Sequence, residues 1–153
     1  MEIVLKKWFK QVFRIWALLL CIFFFVLPLV RCSENSSLNA TGYQIATGTG
    51  DLYDDSGENG DPLVFVLLFI PVVLLIMAFL SKSYKPLRNG AVVGLIAKIG
   101  FITAASIKLG SEEYSGTFEL TGYNWFITAV YIGLICLAQI GIKKEISGEE
   151  KIE

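Results

Sequence analysis

The chain contains no histidine. That removes the commonest general base and the commonest transition-metal ligand. Cysteine is scarce: Cys21, Cys32 and Cys136 stand far apart. No second cysteine shares a polar connecting segment with Cys32, so an intrachain disulfide between loops is excluded. Acidic residues are absent from every long apolar stretch of the sequence. No nucleotide-binding glycine loop, nucleophile–base arrangement or metal-ligand cluster is present. These absences point away from an enzyme, from a bound metal or cofactor, and from a nucleic-acid partner.

What is present is hydrophobic length. Of 153 residues, 54% are hydrophobic. Four apolar stretches run Phe13–Val30, Pro62–Leu80, Gly90–Leu109 and Gly122–Ile142. Each is near the ~20 residues a helix needs to cross a ~30 Å hydrocarbon core. Their continuous apolar runs exclude the alternation of a barrel strand, so helices must satisfy the backbone in lipid. No length remains for a soluble domain with a core of its own.

The charges between these stretches alternate in sign. Lys6, Lys7, Lys10 and Arg14 precede the first, Lys82, Lys85 and Arg88 fill the second link, and Lys143, Lys144 and Lys151 follow the last. Segment 31–61 carries six acids against Arg31 alone, and segment 110–121 carries Glu112, Glu113 and Glu119 with no Lys or Arg. The positive-inside rule then places both termini and the second link in the cytoplasm. The expected fold is all-α, a polytopic bundle of four transmembrane helices. Its segments are a cytoplasmic lead-in 1–14, spans 15–30, 62–80, 90–109 and 122–142, a larger external acidic loop 31–61, a basic link 81–89, a short external loop 110–121 and a cytoplasmic tail 143–153. The strong charge bias, with no organelle-targeting motif, leans toward a bacterial inner membrane.

The first stretch also resembles a secretory signal, with a basic start and Arg31-Cys32-Ser33 at its end. Arg31 stands where a lipoprotein cleavage box needs a small residue, and the apolar run is long for a signal. The expectation is an uncleaved anchor. Cys32 stays open to three states: free, lipidated or paired between chains. Pro28 is expected to kink or end the first helix. Residues 40–48 read as a short strand or hairpin, and Asp51–Asp61 as a solvated acidic loop without EF-hand spacing.

Stretch three is the expected packing hub. Gly90, Gly94, Ala97, Gly100 and Ala104 make it rich in small residues, with Gly90 and Gly94 at a close-packing spacing. Gly133 offers stretch four a matching face. Lys98 is the sharpest single candidate, because an intramembrane cation costs at least ~2.5 kcal/mol near the bilayer centre. Lacking an acid in any span, it is read as snorkelling toward the cytoplasmic headgroups or as structurally paired, with Gln139 near enough to share a hydrogen bond. The alternatives are an acid on another subunit or a place in a transport path. Stretch four carries Asn124, Trp125, Thr128 and Tyr131 toward its outer end. Tyr43, Tyr123 and Trp125 form a candidate external partner surface, against the plainer reading of an aromatic belt at headgroup level. The tripeptide Thr-Gly-Tyr occurs at 41–43 and again at 121–123. Its register opposes a duplication, although the copies would meet if both cap the same side.

Four spans with a larger first external loop and a smaller second give an outline similar to the claudin-like tetraspans. That family's first loop carries paired cysteines and a Trp-containing signature, whereas this one has only Cys32, so junctional function is not carried over. The leading expectation is a small non-enzymatic subunit in the lipid bilayer. It would pack against, and stabilise or regulate, a larger membrane-protein partner, or self-associate. The alternatives are a homo-oligomeric channel or transporter using Lys98, and a claudin-like interaction protein.

Overall fold

The computed structural model describes residues 2–33, 39–49, 62–109 and 118–149. In chain order the elements are α1 (Glu2–Val26), β1 (Pro28–Cys32), β2 (Asn39–Thr41), α2 (Gly42–Thr47), α3 (Pro62–Leu80), α4 (Tyr84–Leu109), β3 (Phe118–Leu120) and α5 (Tyr123–Glu149). Three helices contain stretches long and apolar enough to cross a membrane: Trp8–Val26, Tyr84–Ile107 and Tyr123–Lys143. Within α3, Val64–Leu80 forms a shorter apolar run.

Each long helix buries one narrow stripe. On α1 it is Phe13, Ala17, Leu20, Cys21 and Phe24; on α4 it is Tyr84, Leu87, Ala91, Gly94, Lys98 and Ile102. Steps of three and four keep such residues on one face of a 3.6-residue helix. Helix α5 repeats the pattern with Asn124, Ile127, Thr128, Tyr131, Leu134 and Ala138. Contacts α1–α3, α3–α4, α4–α5 and α5–α1 close the helices into a ring around these stripes. Much of the opposite surface is apolar and exposed, including Val66, Phe69, Leu80, Ile96, Ile107 and Trp125. That is inverted from a water-soluble bundle and suits a lipid surround.

Aromatic side chains seated on glycines bring the helices close. A Cβ at Gly94 would overlap Tyr131 of α5 and stand 3.0 Å from Ile70 of α3. One at Gly133 would overlap the Trp16 ring of α1, and one at Gly141 would meet the Tyr84 ring at 2.5–2.7 Å. The small residues singled out in the sequence take different places. Gly94 and Gly133 are close-packed, Ala97 packs against the core, and Gly90 makes only ordinary contact with Leu74 and Met77. Gly100 and Ala104 are a correction: both are exposed, and a Cβ at Gly100 would meet nothing within 4 Å. The small residues of α4 lie on two faces, and only one faces the bundle.

At one end of the ring, residues 81–83 join α3 to α4. The expected link 81–89 is this short because Pro86 falls in the first turn of α4, where a missing N–H breaks no helical bond. Helix ends leave carbonyls and amides unpaired, and both ends here are served by other helices. Lys10 donates to the Ser81 carbonyl, and Arg14 Nε donates to the Ala78 carbonyl at 3.0 Å while its guanidinium lies 4.6 Å above the Phe79 ring. Across the turn, Glu145 Oε2 accepts from Ser83 Oγ at 3.1 Å and from the Tyr84 amide at 3.4 Å. Cations meet the C-terminus of α3 and a carboxylate meets the N-terminus of α4, as the helix dipoles favour.

The other end carries a three-stranded antiparallel sheet in the order β2-β1-β3. It corrects several expected boundaries. Helix α1 stops at Val26, because Pro28 opens a strand, a place where proline loses no needed donor. Residues 2–14 continue α1 instead of forming a separate lead-in, α5 runs on to Glu149, and 118–120 is a strand. The segment 40–48 is strand only to Thr41 and then helix. Thr41 Oγ1 accepts from the Gln44 amide and Gln44 Oε1 accepts from the Thr41 amide, closing a capping box. Gly48, at φ 66°, ends that helix in the left-handed region. The acidic stretch Asp51–Asp61 and the pair Glu112 and Glu113 lie outside the described residues.

Candidate functional site

Lys98 occupies a position in the α4 stripe that an apolar residue would ordinarily fill. It is 1% exposed. Its Nζ donates to Asn124 Oδ1 at 2.7 Å. The ammonium also lies 4.8 Å from the Phe101 ring centre and 5.4 Å from that of Phe24. Ring faces attract a cation, by up to ~2 kcal/mol where water is excluded. The cation is held by one neutral oxygen and two π faces. Among the described residues, no buried side-chain nitrogen or oxygen lacks a partner.

The expected direction of Lys98 is corrected. Counted from Gly90 it looked close to the basic end of its span. Helix α4 begins at Tyr84, so Lys98 stands ~21 Å along it and nearer the sheet end. It reaches toward the sheet, not toward the turn, and Gln139 is not its neighbour. Gln139 Oε1 instead accepts from Arg88 Nη1 at 3.3 Å.

Asn124 is the residue that the sequence analysis left unconnected. It too is 1% exposed. Its Nδ2 donates to the Leu29 carbonyl at 2.7 Å and to the Thr121 carbonyl at 3.1 Å. Its backbone carbonyl accepts from Thr128 Oγ1 at 2.9 Å. An amide supplies an acceptor and two donors, and here each is used. Leu29 is displaced in a bulge between Pro28 and Val30, where the pairing with β2 shifts register. Its carbonyl also accepts the Thr121 amide at 3.0 Å. A bulge re-aims backbone groups, and this one turns a strand carbonyl toward Asn124. The chain of contacts Lys98–Asn124–Leu29 ties α4, α5 and the sheet together.

A signal for this pairing existed. Lys98 and Asn124 both interrupt apolar stripes at stripe positions, so both point inward. Their levels hid it: Asn124 is the second residue of α5, whereas α4 continues eleven residues past Lys98 alongside β3.

The two Thr-Gly-Tyr copies meet at Pro28. Thr41 pairs with Pro28 in the ladder, and Thr121 Oγ1 donates to the Pro28 carbonyl. Their glycines do different work. A Cβ at Gly42 would stand 2.6–2.9 Å from the Phe24 ring and carbonyl, whereas one at Gly122 meets nothing within 4 Å. The candidate surface residues divide likewise. Tyr43 lies 6.2 Å from Phe25, ring centre to ring centre. Tyr123 and Trp125 are exposed at the start of α5. Cys32 is a free, half-buried thiol on β1, Cys21 is buried and Cys136 exposed. Among the described residues no cluster of His, Cys, Asp or Glu could hold a metal ion.

No protein-family model, no curated protein and no solved structure matches the chain.

Proposed function

We propose that the chain is a small, non-enzymatic four-span membrane subunit that docks a larger membrane protein through the outward face of α4. The observation that carries this reading is the unfilled surface around Gly100. Val93, Ile96, Gly100, Thr103, Ala104 and Ile107 share that face, all exposed. Small residues four apart let another transmembrane helix approach closely, and the chain's own helices leave this pair uncovered.

Helix α3 serves as the fourth span, being 19 apolar residues long with no charge. The turn end is cytoplasmic and the sheet end external, on the argument that Lys10, Arg14, Lys82, Lys85 and Arg88 gather at the turn. A bacterial inner membrane is the proposed location on the same ground.

The surroundings of Lys98 favour a structural role over a partner-seeking or transporting one. Its charge is partnered within the chain and sealed by Phe24 and Phe101, which weighs against an ion path through it. The sheet that unites the two external segments supports the tetraspan interaction protein as a second reading, since it gives the outer face a fixed shape.

The test is photocrosslinking from position 100 in the native membrane, with position 91 as the buried control. A crosslink at 100 to a larger protein, lost in Ile96→Trp, supports the proposal. A crosslink to a second copy replaces it with self-association. Lipid adducts alone refute it.

A further inference from the structure

At the sheet end, a groove of about 610 Å³ opens between the last turn of α1 and the first turn of α5. Phe23, Leu27, Pro28, Tyr123 and Phe126 supply an apolar lining, and Arg31 stands at its polar end. The Phe23 and Phe126 rings meet edge-on at 5.3 Å. The volume is that of a ligand pocket.

We infer that this groove binds one anionic phospholipid of the outer leaflet, an acyl chain along Phe23, Leu27 and Phe126 and the phosphodiester at Arg31. The inference rests on the four-span reading given above. Three observations carry it.

The first is level. The groove lies where α1 gives way to strand and α5 begins, beside exposed Tyr123 and Trp125. Aromatic residues of that kind mark the boundary between headgroups and hydrocarbon. A lipid is the ligand that reaches this site from the side.

The second is charge. Arg31 is the only Lys or Arg in segments 31–61 and 110–121, against six acids in the first and three in the second. Arg31 therefore supplies the groove with a guanidinium, whose planar fork suits phosphate oxygens.

The third is availability. Arg31 Nε is bonded to Glu119 Oε1 at 2.7 Å, with both side chains about half exposed. An exposed pair of that kind is weak, worth ~0–1 kcal/mol, and a guanidinium keeps further N–H donors after making one bond. Glu119 tempers the site without closing it.

Gly122 provides a clean way to fill the groove. It lines the cavity, and an added Cβ meets nothing within 4 Å, so position 122 accepts a side chain and Gly122→Phe is the variant chosen to fill the groove. The experiment is native mass spectrometry of the delipidated full chain, titrated with phosphatidylglycerol or phosphatidylcholine. The unaltered protein should retain one phosphatidylglycerol in preference to phosphatidylcholine. Gly122→Phe should lose that bound lipid while keeping its helical circular dichroism. Arg31→Gln should bind phosphatidylglycerol about tenfold more weakly, one charge-assisted contact being lost. Glu119→Gln should bind it more tightly, because its competitor for Arg31 is gone. Equal retention by Gly122→Phe, or equal affinity for both lipids in the unaltered protein, overturns the inference. Labelling Cys32 on intact cells with an impermeant maleimide tests the orientation separately. Protection of Cys32 there, with lipid binding intact, overturns the outer-leaflet assignment and the topology while the groove survives.

Discussion

Removing Asn124 should destabilise the protein more than removing the lysine it serves. In Asn124→Ala the ammonium of Lys98 keeps only the Phe24 and Phe101 faces. Removing the neutral hydrogen-bond partner of a buried ammonium costs ~1.5–3 kcal/mol. The two carbonyls that Asn124 serves are not orphaned, since Leu29 still accepts the Thr121 amide and Thr121 still accepts the backbone amide of residue 124. The cost therefore belongs mainly to the lysine. In Lys98→Met the stem is replaced by one of similar length. Asn124 Oδ1 loses its only donor, at ~1–3 kcal/mol, but the desolvated charge disappears, which offsets part of that. The double variant should then be more stable than Asn124→Ala alone. An ordinary hydrogen bond between membrane helices couples by ~0.6 kcal/mol on average, so a coupling of ~1.5 kcal/mol or more, as expected for a hydrogen bond to a buried charge, is the signature of this site. The assay is equilibrium unfolding by sodium dodecyl sulfate in mixed micelles, followed by far-ultraviolet circular dichroism. Single-variant costs that add to within ~0.5 kcal/mol, as independent sites do, would refute the reasoning.

Other expectations follow from the same geometry. Gly94→Leu should lower the unfolding midpoint sharply, since Tyr131 and Ile70 fill the space, by ~1–3 kcal/mol for overpacking; Gly100→Leu in the purified protein should leave it unchanged. Gly42→Ala should loosen α2 from α1, because the Phe24 carbonyl stands 2.9 Å from the new carbon and cannot rotate away; rising amide exchange over 42–48 measures it, and unaltered exchange counts against the packing. Arg14→Ala should cost ~0.5–2 kcal/mol through the lost bond to the Ala78 carbonyl and the exposed end of α3. Faster exchange at the Ser81 amide, which donates to Met77, reports that fraying.

The basic charges of the turn end have a second use that composition could not reveal. Lys10 and Arg14 read as orientation signals, and in the fold they also close the C-terminus of α3. Glu145, read as part of a solvated tail, lies on α5 and meets the start of α4. These pairings join residues more than sixty positions apart, and no local pattern encodes such a separation.

Sequence alone determined that the chain is mostly helical, with apolar helices suited to a membrane. Long apolar runs leave the backbone no solution in hydrocarbon except the helix, and that constraint is local. It also marked Lys98 as exceptional, and Gly90, Gly94, Ala97, Gly100, Ala104 and Gly133 alike as packing residues. One device was locally legible and read otherwise: Thr41-x-x-Gln44 is a capping-box spacing that starts α2; Pro28, expected to kink or end the first helix, follows its end at Val26 and opens a strand. Tertiary structure decided the rest. Which face of α4 turns inward separates Gly94 from Gly100, and it depends on the Tyr131 ring of another helix. Whether Lys98 reaches to the turn or to the sheet depends on where Asn124 and the Leu29 bulge come to lie. A helix's periodicity specifies that residues share a face. Only packing specifies what that face meets.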